Sequence, residues 1–228
     1  MRKMWCIPPE QNAAFVANME DVLAVYHRSY NEKYPVVCMD EKPFQLLDER
    51  YAPIPMSKTN KILKYDNEYE KKGSCSIFMF TEPLGCWRHC EALPQRTRFD
   101  WSKRIKWLLD EQYPKAEKVV LVMDNLNVHG IWSLYSTFTP EEAFRLSQRL
   151  EIHYTPKHGS WLNIAELELS SLTIQCLGEK RIPTLQLLNT ELTVWHTERN
   201  TKQKGVNWQF STRDARTKLH RLYPDVKF

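Results

Sequence analysis

Residues 118–124 read Lys-Val-Val-Leu-Val-Met-Asp: five consecutive apolar side chains running straight into a carboxylate. Apolarity without alternation marks a strand buried on both faces, as expected of a central strand in a parallel sheet. A carboxylate where such a strand ends, here Asp124, falls in the crevice where open α/β sheets bind ligands. Val36-Val-Cys-Met-Asp-Glu41 has the same form, a short β-prone run ending in acids, and makes Asp40 the counterpart of Asp124.

The segments around these two strands complete a mixed sheet covered by helices. Phe15, Met19, Val22 and Tyr26 recur at helical spacing within a helix expected over 9–28, after Pro8-Pro9, and 31–35 reads as a turn. Cys75–Thr81 and Cys86–Ala92, separated by Glu-Pro-Leu-Gly, read as an antiparallel hairpin. Residues 100–112 form an amphipathic helix with Asp100 as its expected N-cap. Thr139-Pro-Glu-Glu142 opens another, running to Leu150: a cap, a proline in the first position and acids in the first turn. Ile152–Thr155 is a fifth strand, and a helix follows from Asn163 to Leu177, stopped by Gly178. Leu185, Leu188, Leu192 and Trp195 mark a further amphipathic helix; 207–210 is irregular, and 212–222 is a last short helix.

Composition narrows the function. The chain has 228 residues, 42% of them hydrophobic, enough for a sizeable core. No apolar run reaches the roughly 20 residues of a membrane span, and the first residues lack an apolar signal region, so a cytoplasmic protein is expected. Six cysteines at irregular spacing read as reduced, buried thiols. Cys75, Cys86, His89 and Cys90 admit a zinc site, but paired Cys-x-x-Cys knuckles are absent. Six glycines and no Gly-x-Gly-x-x-Gly or Walker-type loop argue against a nucleotide cofactor, and no Gly-x-Ser-x-Gly elbow occurs. Residues 179–228 carry ten Lys/Arg against five Asp/Glu, so the net charge of +4 lies wholly in that segment. Such a balance suits a phosphate backbone as well as it suits a solvated helical surface.

Two or three acids at strand ends can hold a pair of hard, oxygen-preferring cations roughly 3.5–4 Å apart. The third acid is open from spacing. Leu162, Ala165, Leu169, Leu172 and Cys176 form the buried stripe of the 163–177 helix, and Glu166 and Glu168 flank it at similar angles on opposite sides. Asn163-x-x-Glu166 also has the form of a capping box, in which Glu166 would merely reach back to an amide.

Four blocks carry a resemblance: Trp5-Cys-Ile-Pro-Pro-Glu10, Val36–Glu41, Val120-Leu-Val-Met-Asp-Asn-Leu-Asn-Val-His129 and His153-Tyr-Thr-Pro-Lys-His-Gly-Ser-Trp-Leu-Asn-Ile-Ala-Glu166. They resemble, in order, the catalytic blocks of bacterial insertion-sequence transposases of the mariner-like Asp-Asp-Glu branch. Arg181-Ile-Pro183, Asn207-Trp-Gln-Phe210 and Arg221-Leu-Tyr-Pro224 extend the likeness over nearly the whole chain. The resemblance implies catalytic, metal-holding roles for Asp40, Asp124 and Glu166, the last through the family's Asn-x-x-Glu. It implies a five-stranded RNase H-like core over 31–178, a helical lead-in over 1–30 and a helical basic extension over 179–228. It also implies two Mg²⁺ ions (Mn²⁺ substituting), double-stranded DNA as partner (terminal inverted repeats and target), a homodimer, and a bacterial, nucleoid-associated location. The 41 residues between Asp124 and Glu166 exceed the usual spacing of the wider superfamily, and the extra length is expected in 131–150.

Asn125 and His129, just past the second strand, stand where substrate or leaving-strand phosphate would lie, with bonding inside the loop as the alternative. Lys157 and His158 precede the catalytic helix, where a cation beside a helix N-terminus suits phosphate. Trp161 reads as packing rather than base stacking. The resemblance implies a helix-turn-helix region ahead of this core; about ten residues precede the first core-like helix here, so sequence-specific recognition of the terminal repeats is not expected of this chain alone. The readings are therefore a transposase catalytic domain, a catalytically silent DNA-binding or assembly protein derived from one, and, more distantly, a metal nuclease acting on RNA–DNA hybrids.

Overall fold

Val119–Met123 forms strand β4, with all five side chains buried, at the position its apolarity predicts. The computed structural model describes residues 7–8, 10–59 and 61–225. β4 lies parallel between β1 (Val36–Glu49) and β5 (Leu150–Tyr154). The antiparallel strands β2 (Tyr69–Glu82) and β3 (Trp87–Leu93) extend the far side of β1, giving the order β3-β2-β1-β4-β5.

Strand alternation sorts the sheet's side chains into two cores. Cys38, Val120 and Val122 face α1 (Ala13–Tyr26), α5 (Ile164–Leu172) and α6 (Leu185–Thr201). Val37, Met39, Val119, Leu121 and Met123 face α2 (Arg98–Trp107), α3 (Ile131–Tyr135) and α4 (Pro140–Gln148). Phe15, Met19 and Val22 are buried in the first core, as their spacing requires. Gly178, with φ of +49°, ends the wide turn Thr173–Leu177 that continues α5. Helices α3 and α4 occupy the stretch where the long Asp124–Glu166 spacing places extra chain.

Two local expectations need correction. Asp100 does not cap α2. Thr97 does, its hydroxyl accepting from the Asp100 N–H at 3.3 Å while Asp100 Oδ2 accepts from the Thr97 N–H at 2.8 Å. Asp100 is thus the returning member of a capping box. Nor does β1 end at its acids. It continues to Glu49 against β2, but its pairing with β4 stops at Cys38. Asp40 therefore sits just past the point where the two parallel strands part, and the crevice opens there although the strand does not end. Pro9, at the expected start of the first helix, lies outside the described residues; α1 begins at Ala13, where Asn12 Oδ1 accepts the Phe15 N–H at 2.9 Å.

The basic C-terminal segment is built onto the sheet's edge. An edge strand exposes unpaired backbone groups, and α6 covers those of β3 with side-chain amides. Asn189 accepts from the Ala92 N–H at 2.7 Å and donates to its carbonyl at 3.0 Å. Asn200 does the same for Arg88, at 2.9 and 2.8 Å. Helix α7 (Thr212–Lys218) returns the chain to α1, where Arg216 pairs with Glu20 at 2.8 Å. Among the described residues no helix is long and apolar enough to cross a membrane.

Candidate metal centre

Three elements deliver three carboxylates to one cleft. Asp40 comes from β1 where it leaves β4, Asp124 from the first position after β4, and Glu166 from the first turn of α5. The cleft, of about 380 Å³, is also lined by Glu41, Ser160 and Asn163.

Asp40 is the most constrained of the three. Its Oδ1 accepts the Glu41 N–H at 2.7 Å. Its Oδ2 accepts from Asn163 Nδ2 at 3.2 Å, and the same amide group donates to the Met39 carbonyl at 2.9 Å. Asn163 thus ties β1 to the start of α5, which it also caps by accepting the Ala165 N–H at 3.1 Å. Burial pushes the Asp40 carboxyl up from 3.8 to about 7; the Glu41 N–H opposes this, and the charges of Asp124, Glu166 and Glu41 add to it.

The fold separates Glu166 from Glu168. The Asn163 N–H bonds to the Ser160 carbonyl rather than to Glu166, so the capping-box role is not taken up. Glu166 Oε2 is buried, and no hydrogen bond from a described residue reaches it. Glu168 is 3% exposed on the other side of the helix, 3.3 Å from Arg88 Nε and 3.1 Å from Arg199 Nη2. It neutralises a buried arginine and has no part in the cleft.

Of the flanking residues, Asn125, Lys157 and His158 are exposed and share a second cleft of about 680 Å³ that also touches Asp124. Lys157 and His158 occupy the turn ahead of α5, in which His158 holds a φ of +64°. His129 lies elsewhere. Its ring is 1% exposed, with Nδ1 2.6 Å from Asp124 Oδ1 and Nε2 2.9 Å from Glu41 Oε1. Burial works against its charge, but the bonds to Asp124 and Glu41 outweigh that and push it up to about 9. Only the Nδ1 bond to Asp124 is local to the loop; Nε2 reaches across to Glu41 on β1, an acid that sequence reasoning did not single out. The signal for Glu41 was available: alternation puts it on the face of Val37 and Met39, where a lone acid needs a partner. Trp161 packs edge-on against Phe210, with ring centroids 5.9 Å apart. Cys75 and Cys90 lie in the sheet's first core.

The donor set suits a hard divalent cation. Burial first, and then the neighbouring carboxylates, raise Asp40, and Glu166, whose buried Oε2 has no hydrogen bond from a described residue, lines the same cleft. Among the described residues no three His, Cys, Asp or Glu side chains are already drawn together around one point, so the acids line the cleft without forming a closed cage.

The fold matches solved structures of a mariner transposase, Mos1. The Mos1 strand transfer complex superposes with a TM-score of 0.57 at 13% identity, over 89% of this chain and 61% of that one. The Mos1 paired end complex with Mg gives 0.56 at 13%, over 99% and 67%. The corresponding complex with Mn gives 0.53 at 12%, over 89% and 62%. The chain thus spans about six-tenths of the length of the first Mos1 chain it matches. No curated protein matches it in sequence. The mixed five-stranded sheet flanked by helices is the RNase H-like fold of the Mos1 catalytic domain. Residues 35–189 match the DDE superfamily endonuclease family, and the chain belongs to that family, whose chemistry depends on divalent metal.

Proposed function

We propose that the chain is the catalytic domain of a DNA transposase, which cuts at the terminal inverted repeats of an element and joins the freed 3′-hydroxyl to target DNA. The observation that carries this reading is the convergence of Asp40, Asp124 and Glu166 on one cleft within a DDE endonuclease fold. The Mos1 complexes, with Mg and with Mn, support it by fold.

Asp40, Asp124 and Glu166 would hold two Mg²⁺ ions, with Mn²⁺ able to substitute. Bound there, the ions supply activation of the attacking water or 3′-hydroxyl and neutralisation of charge on the leaving oxygen. Asn163 fixes Asp40 against rotation through the bond to Oδ2. Asn125, Lys157 and His158, on the rim of the adjoining cleft, bind the DNA backbone. Both steps are in-line displacements at phosphorus without a covalent enzyme intermediate. The working form is a homodimer in the bacterial cytoplasm, associated with the nucleoid.

Mn²⁺-dependent nicking of a terminal-repeat duplex tests the proposal. Wild-type protein nicks and Asp124→Asn does not. Equal nicking by the two overturns the assignment, and salt-sensitive duplex binding without nicking under any metal makes the chain a non-catalytic assembly protein.

A further inference from the structure

Glu41, His129 and Asp124 form a chain of hydrogen bonds that runs outward from the core. Glu41 and His129 have side chains only 1% exposed, whereas Asp124 is 37% exposed in the cleft. Carboxylates only accept, so both ring nitrogens donate: Nδ1 to Asp124 Oδ1 at 2.6 Å, Nε2 to Glu41 Oε1 at 2.9 Å. The ring has little freedom to turn. Trp101 stacks near it at 6.1 Å with 29° between planes. Its backbone is fixed at both ends, the N–H donating to the Leu126 carbonyl at 2.9 Å and the carbonyl accepting from Tyr154 Oη at 2.9 Å.

Asp124 lies one residue past the end of β4, and its carboxylate meets the His129 ring. Nδ1 claims Oδ1, and no hydrogen bond from a described residue reaches Oδ2. We propose that His129, itself held by Glu41, is a positioning residue that fixes the Asp124 carboxylate with one oxygen free for a divalent cation. This rests on the metal-centre reading above. It gives His129 and Glu41 the role that Asn163 has at Asp40: a donor on one oxygen, orienting the other. Groups that orient metal ligands in this way typically change affinity 10–100-fold when removed.

The test is Mn²⁺ binding to the purified chain, measured by calorimetry without DNA, beside the melting temperature of the metal-free protein. His129→Ala should weaken Mn²⁺ binding about 10–100-fold. His129→Asn, which returns a donor to the Nδ1 side without reaching Glu41, should recover most of that loss. Recovery by Asn of affinity beyond any recovery of melting temperature separates positioning from a structural role. If wild type binds Mn²⁺, Asp124→Asn does not and His129→Ala binds like wild type, the brace is overturned while the metal centre stands. If Asp124→Asn binds like wild type, the metal centre itself fails, and the brace with it. Should neither His129 variant fold, the wild-type ring decides by proton–nitrogen NMR. Its two downfield N–H signals should persist and shift on adding Mg²⁺, and unmoved or lost signals overturn the proposal.

Discussion

Replacing Asp40 with asparagine should stabilise the metal-free protein while removing its chemistry. In the fold the Asp40 carboxyl is carried from 3.8 to about 7, by burial and by the neighbouring acids. Between those values the folded state holds a proton that the unfolded chain has released, so stability falls as pH rises through this window, and the full cost is present above it. A displacement of that size corresponds to about 4 kcal/mol. Asparagine carries no charge and escapes the cost. Its amide would face the Asn163 amide as donor against donor, returning about 1 kcal/mol. The net gain near pH 8 is therefore about 3 kcal/mol, or ~6–12 °C in melting temperature for a chain of this size. Near pH 4, where wild-type Asp40 is largely protonated, the gain vanishes. The assay is thermal unfolding of both proteins in chelator from pH 4 to 8, repeated with saturating Mg²⁺, which should raise wild type more than the variant. A difference between the proteins that does not change with pH would refute the reasoning.

Other consequences follow from particular contacts. Glu168→Ala leaves Arg88, itself 1% exposed, with Arg199 and no carboxylate, and should cost about 3–5 kcal/mol in urea unfolding, whereas Glu166→Gln costs little. Asn189→Ala strips Ala92 of both its bonds to α6 and should cost about 1–3 kcal/mol, with faster amide exchange along β3. Gly159→Ala would set a Cβ 2.9 Å from the Pro156 carbonyl oxygen, forcing the Lys157–His158 turn to move. It should weaken duplex binding more than it lowers the melting temperature.

What the sequence made legible was what local pattern determines. Val119–Met123 could be read as a central strand because burial on both faces removes alternation, and its position fixed that of Asp124. The run from Val36 read as ending at its acids, whereas β1 passes through Pro43, a residue that normally argues against a central strand. Here it falls beyond Cys38, where β1 has no β4 partner, and the strand runs on against β2. The choice between Glu166 and Glu168 could not come from the helix alone. What sets the two apart in the fold is Arg88 and Arg199, on β3 and α6, which pair with Glu168 and leave Glu166 lining the cleft. The burial of His129 was hidden for the same reason: its partner Glu41 is 88 residues away, and burial of a histidine depends on what meets it. Family resemblance supplied Glu166 where spacing could not, but had nothing to say about the buried pair behind Asp124.

The most direct test of the central claim is to locate the metal. In crystals of the protein grown with Mn²⁺, anomalous scattering should give one or two peaks in the cleft between Asp40, Asp124 and Glu166, at roughly 2.0–2.2 Å from their carboxylate oxygens. No peak at saturating Mn²⁺, or a peak held by other side chains while that cleft stays empty, would contradict the account.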